Sequence, residues 1–163
     1  MNLDRQAAQI AKDFKQVVFI GAYAATLHGT TRSTRDIDIA LATPKTDEAL
    51  GKLGYQVYQE RGKKIVRTPD GIKLDIFTKD VSGIPIREIF ATAQTVQRAG
   101  ATIKIICLEA LLLAKLRAGR PQDNDDLKQL CKRRGRDIRW DLVESMAQGP
   151  IVVQLRQLVT ALA

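Results

Sequence analysis

The sequence predicts an α+β fold: a mixed β-sheet core flanked by helices, with a helical C-terminal part. Up to about Cys107, short apolar runs of strand length alternate with segments of helical spacing. From Leu108 onward every apolar pattern is helical, broken at Gly119, Gly135 and Gly149-Pro150. The 163 residues, 45% of them hydrophobic, suit one domain with its own core. Residues 1–107 are therefore expected to form the α/β core. Residues 108–163 are expected to form a helical extension packed on it, in one structural domain.

Taken in order, residues 3–14 place Leu3, Ala7, Ile10, Ala11 and Phe14 at helical spacing. Val17 to Ile20 is a buried strand ended by Gly21, and Ala22 to Leu27 is a helix closed by His28-Gly29. Thr30 to Thr34 is a polar loop into a strand at 36–41, and Thr46 caps a helix reaching about Leu53. Tyr55 to Tyr58 reads as a strand. Residues 64–67 and 72–77 around Pro69-Asp70-Gly71 predict a β-hairpin. Residues 80–92 show no single period. Residues 95–97 and 101–107 predict two strands around Ala99-Gly100, followed by helices at about 108–118, 122–133, 140–147 and 151–162.

Composition excludes several classes. No apolar run reaches the roughly 20 residues a membrane-spanning helix needs, and the N-terminus reads as no secretory signal. Cys107 and Cys131 form no CxxC, have one histidine, His28, for company, and read as small buried hydrophobes of a cytoplasmic chain. Net charge is +8, and residues 115–139 hold nine Lys/Arg against four Asp, a balance that favours polyanionic partners. Aromatic residues make up 5% of the chain, too few for a single-strand stacking platform.

The chemistry concentrates in Arg35-Asp36-Ile37-Asp38-Ile39. In a strand, residues i and i+2 share a face, so both carboxylates point one way and both isoleucines the other. Like charges held together repel unless a cation lies between them, and hard oxygen ligands suit Mg²⁺, with Mn²⁺ as the alternative ion. Asp75, in Lys73-Leu74-Asp75-Ile76-Phe77, completes the set if its strand lies beside the first, and three such acids can hold two ions. Asp70 is taken by its Pro-Asp-Gly turn. Ile20-Gly21-Ala22 runs from strand into helix, where free N–H groups and a missing Cβ make an anion site. Arg32, Ser33 and Thr34 precede the acids in the loop that would face a nucleotide. Lys115, on an apolar helix face, needs an anionic partner, a triphosphate or an active-site carboxylate. Arg120 is assigned to the nucleotide as well, and with Asp123 and Asp126 it also reads as an ion-pair set tying the helical part to the sheet. His28 reads as a helix C-terminal residue and not as a base.

Joined, these pieces resemble the DNA polymerase β-like nucleotidyltransferase superfamily: a strand, a glycine turn into a helix, Asp-x-Asp, and a third acid on a later strand. Within it the chain is similar to the small nucleotidyltransferases related to AbiEii toxins. Gly29-Thr-Thr-Arg32-Ser33-Thr34 and Lys115-Leu-Arg-Ala-Gly119-Arg120-Pro-Gln-Asp123-Asn-Asp-Asp126 stand in the places of that group's motifs. The resemblance spans roughly residues 16–130. It implies a Mg²⁺-dependent enzyme that transfers an NMP from an NTP such as ATP to an acceptor hydroxyl and releases pyrophosphate. Asp36, Asp38 and Asp75 would be its metal ligands. It further implies an RNA 3′ end (tRNA among them) or a protein as acceptor, and a toxin role with an antitoxin partner. One departure is Ala22, where the family has a second glycine or a serine. Alanine offers an N–H but no hydroxyl, so the alternative is a catalytically inactive relative that binds nucleotide, nucleic acid or a partner.

Overall fold

The computed structural model describes residues 2–162. Helix α1 (Leu3–Phe14) starts where the Asn2 side chain accepts the Asp4 N–H at 3.0 Å, and it buries Ala7, Ile10 and Phe14. It lies against β1 (Val17–Ile20), β8 (Gln94–Arg98) and β9 (Ala101–Ile105). All four residues of β1 are buried, as a strand covered on both faces demands. Beyond it come α2 (Gly21–His28) and β2 (Ile37–Leu41), then α3 (Asp47–Lys52), capped by Thr46 as expected.

Five strands form the main sheet, in the order β5-β2-β1-β9-β8, with β5 at Leu74–Phe77. The pairs β1–β2 and β8–β9 are antiparallel, while β2–β5 and β1–β9 are parallel, so the sheet is mixed as predicted. Residues 80–92 make a two-stranded ribbon, β6 (Asp80–Val81) with β7 (Ile84–Pro85), and then α4 (Ile86–Thr92).

The hairpin predicted over 64–77 needs correction. Strand β4 (Lys63–Arg67) pairs instead with β3 (Gln56–Glu60) in a separate two-stranded sheet, and β5 pairs in parallel with β2. A single bridge, Arg67 to Lys73, survives between the two segments. Pro69-Asp70-Gly71 does turn the chain, but Thr68 closes that turn on itself: its N–H bonds Ile72 O at 2.8 Å, and its hydroxyl accepts the Ile72 N–H at 3.1 Å. Leu74 then enters the core at 2% exposure by pairing beside Ile37.

The remaining helices are α5 (Leu108–Ala118), α6 (Pro121–Arg134), α7 (Trp140–Met146) and α8 (Pro150–Leu162), with a short 3-10 turn at Gly135–Asp137. Helix α5 packs on α6, α7 and α8 and buries nearly every side chain it carries. The predicted strand at 101–107 ends at Ile105, because Cys107 caps α5 through its sulfur, which accepts the Ala110 N–H at 3.4 Å. Buried Glu109 holds the start of α7 by accepting Arg139 N–H at 2.9 Å and its guanidinium Nη2 at 3.1 Å. No helix among the described residues is long and apolar enough to cross a membrane.

Candidate active site

The parallel register of β2 and β5 sets Asp38 directly beside Asp75, while the antiparallel register of β1 and β2 sets Ile20 beside Asp38. Ile37 and Ile39 are fully buried on the far face. Asp36 stands one residue before β2. Its N–H bonds Thr34 Oγ1 at 3.3 Å and its carbonyl accepts the same hydroxyl at 3.2 Å, which fixes the approach to the strand. Burial, then the Asp75 carboxyl, then Asp36, push Asp38 up to about 7, against a smaller opposing pull from Lys115. Lys73 is an ion-pair partner of Asp75, at 3.7 Å.

Gly21 opens α2 at φ +65°, a conformation glycine takes without strain. Ile20 supplies no side-chain cap, so the first N–H groups of α2, Ala22's among them, are left for a ligand or solvent. Ala22 adds only backbone, and its carbonyl accepts the Thr26 hydroxyl at 3.0 Å.

A cleft of about 290 Å³ opens between this sheet end and α5. Asp38, Gly21, Lys115 and Arg120 line it, against an apolar wall that includes Phe77 and Leu111. Lys115, 5% exposed, donates to Asp126 at 2.8 Å and to Asp123 at 3.2 Å. Arg32 grips Asp126 with Nη2 at 2.8 Å and Nε at 3.3 Å, and Arg120 Nε holds Asp123 at 2.7 Å. Three cations thus share two carboxylates buried to 1% exposure. Burial works to raise both acids. The hydrogen bonds from Lys115 with Arg120, and from Lys115 with Arg32, outweigh it and hold Asp123 and Asp126 below the usual carboxylate range. The anionic partner that Lys115 needed is this pair on α6. An ammonium has three donors, so one N–H of Lys115 remains beyond the two used here.

The predicted residues therefore divide. Gly21, Asp38, Lys115 and Arg120 meet in one cleft. Asp36 and Thr34 line a different groove with Arg35, Arg67 and Lys73. Asp75 lines a third hollow with Phe77, Lys45 and Lys64. Arg32 is turned to Asp126, and Ser33 is exposed. His28 ends α2, and its Nε2 bonds the Ile106 carbonyl at 2.7 Å. Sequence reasoning missed Arg67 and Lys73. The one available signal was a cation two residues before the third acid.

No three His, Cys, Asp or Glu side chains among the described residues form a ready cation cage. The donor set nevertheless suits a hard divalent ion: carboxylate oxygens only, two in register on adjacent strands, with Asp38 retaining a proton to about pH 7 in place of a cation.

Solved structures share the fold, and two of them align over nearly the whole of this chain. One is an antigenic nucleotidyltransferase-like protein from Paracoccidioides brasiliensis, 17% identical, with a TM-score of 0.65 over 98% of this chain and 88% of that one. The other is ANT(2″)-Ia in complex with adenylyl-2″-tobramycin, 15% identical, with a TM-score of 0.58 over 96% of this chain and 98% of that one. Comparison with curated proteins finds no match. The chain belongs to the family described as Nucleotidyltransferase of unknown function (DUF6036), which matches it over residues 1–156.

Proposed function

We propose that this chain is a metal-dependent, cytoplasmic nucleotidyltransferase that moves an NMP from an NTP to an acceptor hydroxyl. The acceptor oxygen forms a bond to the α-phosphorus, the α–β anhydride breaks, and pyrophosphate leaves with the bonding electrons. The hydroxyl proton passes to water. Asp36, Asp38 and Asp75 would hold Mg²⁺, or Mn²⁺ in its place. The ion would neutralise charge developing on the phosphoryl oxygens and lower the pKa of the attacking hydroxyl.

The protein's own groups position the substrate. The α2 N-terminus at Gly21 and Ala22 receives phosphate oxygens on its N–H groups. The remaining Lys115 donor and the exposed Arg120 guanidinium face the same cleft and balance the leaving pyrophosphate. The apolar wall with Phe77 and Leu111 takes the less polar end of the nucleotide. The observation that carries this reading is the registered Asp38–Asp75 pair beside a Cβ-free turn.

The test is label transfer from radiolabelled NTPs in Mg²⁺ to cellular RNA and protein, for wild type and for Asp38→Asn and Asp75→Asn. Transfer by wild type alone, with all three chains folded, supports the enzyme. Nucleotide binding without transfer by wild type supports the inactive relative, for which the missing hydroxyl at Ala22 is the structural reason. A toxin role adds one outcome: growth arrest on expression, lost in Asp38→Asn and relieved by a co-expressed antitoxin.

A further inference from the structure

The acceptor is the open half of that reaction, and a second groove bears on it. Phosphoryl transfer places attacking and leaving oxygens roughly in line. If the pyrophosphate end lies against Gly21, Lys115 and Arg120, the acceptor must enter from elsewhere. The groove of about 550 Å³ at Asp36 shares no lining residue with the cleft at Asp38. Its charged walls are Arg35, Arg67 and Lys73, three cations against the single carboxylate of Asp36.

This wall is held in place. Arg67 Nε donates to the Tyr58 hydroxyl at 2.8 Å and Nη1 to the Gly71 carbonyl at 3.0 Å. Its Nη2 has no partner among the described residues. The turn that carries it is tied to α1, because Thr68 Oγ1 donates to Gln6 Oε1 at 3.1 Å and Gln6 Nε2 donates to Asp70. Arg35 is exposed and makes no ion pair or hydrogen bond among the described residues. Lys73 reaches only Asp75, at 3.7 Å. Two guanidiniums with unused donors and an ammonium beside them suit successive phosphodiesters, whereas a polycationic acceptor would meet like charge.

We propose that the groove lined by Arg35, Arg67 and Lys73 binds the phosphodiester backbone of a nucleic-acid strand and delivers its terminal hydroxyl past Asp36 to the nucleotide. This rests on the transferase reading above and names its acceptor as a nucleic acid.

The experiment measures the anisotropy of a fluorescent single-stranded RNA with a free 3′ hydroxyl, across a salt series in Mg²⁺, and separately the binding of a fluorescent NTP analogue. Arg35→Glu/Arg67→Glu is compared with wild type and with Lys128→Glu/Lys132→Glu, which changes the same charge on the exposed side of α6. The groove variant should bind RNA at least about tenfold more weakly. Its log–log salt slope should fall by about 1.4, two phosphate contacts at about 0.7 each. NTP binding should be unchanged, and the α6 variant should stay near wild type. A DNA strand of the same sequence tells which sugar is preferred. Equal losses in both charge variants, or label passing only to protein, would overturn the proposal. Groove-dependent RNA binding by a chain that fails to bind the NTP supports the groove and overturns only the transferase reading. Should the double variant not fold, Arg35→Glu alone, at an exposed side chain with no hydrogen bond or ion pair among the described residues, must still weaken RNA binding for the proposal to stand.

Discussion

The carboxylate of Asp38 occupies the space that a side chain at residue 21 would need: a Cβ built on Gly21 would lie 2.0 Å from Asp38 Oδ2 and 2.8 Å from Asp38 Cγ. Gly21 therefore serves two demands, a backbone at φ +65° and room for an acid pressed against the turn. Gly21→Ala is expected to lose about 1–3 kcal/mol of stability, from left-handed strain and from displacing Asp38. Transfer should fall much further than stability, because the displaced carboxylate no longer lies beside Asp75. Urea midpoints and label transfer on the same preparation check this, and a variant with near-normal transfer would contradict the arrangement.

Asp38 sets a pH dependence of unusual sign for an aspartate. Its folded pKa of about 7 lies above the value of about 3.9 expected in an unfolded chain. Between those limits the folded state keeps a proton that the unfolded state has lost, so stability declines as pH rises through the window. The penalty is complete above about pH 7. Asp38→Asn should therefore be more stable than wild type near pH 8, and the gap should close toward pH 4. Millimolar Mg²⁺ should narrow the gap near pH 8 by stabilising wild type alone. Denaturation curves at several pH values, with and without Mg²⁺, provide the measurement.

The strand around the acids was legible in part, because its signal is local: alternation places Ile37 and Ile39 in the core, and the lone acid in the apolar run at Leu74–Phe77 falls in register with Asp38, whereas Asp36 lies before β2 and lines another groove. The strand neighbours were not. A turn at Pro69-Asp70-Gly71 reverses the chain but does not decide which partner Leu74 takes, and the greater burial beside Ile37 decided it. The real hairpin turn is Arg61-Gly62, at φ +50° and +76°. Arginine is an uncommon occupant of that conformation, so the usual Asn-Gly signal was absent. The need of Lys115 for an anion was readable from its apolar helix, but not that Asp123 and Asp126, expected to pair with Arg120, would supply it. That Arg32 would join them from 94 residues away is a product of tertiary packing alone.

The α5–α6 charge cluster separates fold from substrate binding. Lys115→Met leaves Asp123 and Asp126 buried without their shared cation, a loss of the kind that costs about 3–5 kcal/mol. Arg120 is 64% exposed at its side chain, and Arg120→Ala should cost no more than about 1 kcal/mol. Both should weaken NTP binding, since both line the cleft. The folded pKa values of the two aspartates are depressed, so the stability they contribute is present above about pH 3.9 and is lost as pH falls further. Melting temperatures and NTP titrations of the two variants test the split: an Arg120→Ala chain as unstable as Lys115→Met would refute it.

His28 supplies the opposite slope to Asp38. Its Nε2–H donates to the Ile106 carbonyl, which leaves Nδ1 to accept from Arg134 at 3.4 Å, so the neutral ring satisfies both contacts. Burial first, and Arg134 after it, hold the imidazole below its usual 6.5, though the Ile106 carbonyl pulls the other way. A protonated ring would lose its acceptor and face a guanidinium. The stability His28 contributes is therefore present above about pH 6.5 and drains as pH falls from there toward the lower folded value. Ile106 lines the cleft at Asp38, so under the proposed function loosening this tether on acidification should also weaken NTP binding. In His28→Gln the amide can still donate to Ile106 but takes up no proton, so the decline below about pH 6.5 should disappear, at a cost of about 1–2 kcal/mol near pH 8. The two slopes oppose one another in wild type and flatten its profile. The pair His28→Gln and Asp38→Asn should tilt that profile in opposite directions, and urea midpoints across pH 5–8 that tilt the same way would show that one of the two assignments is wrong.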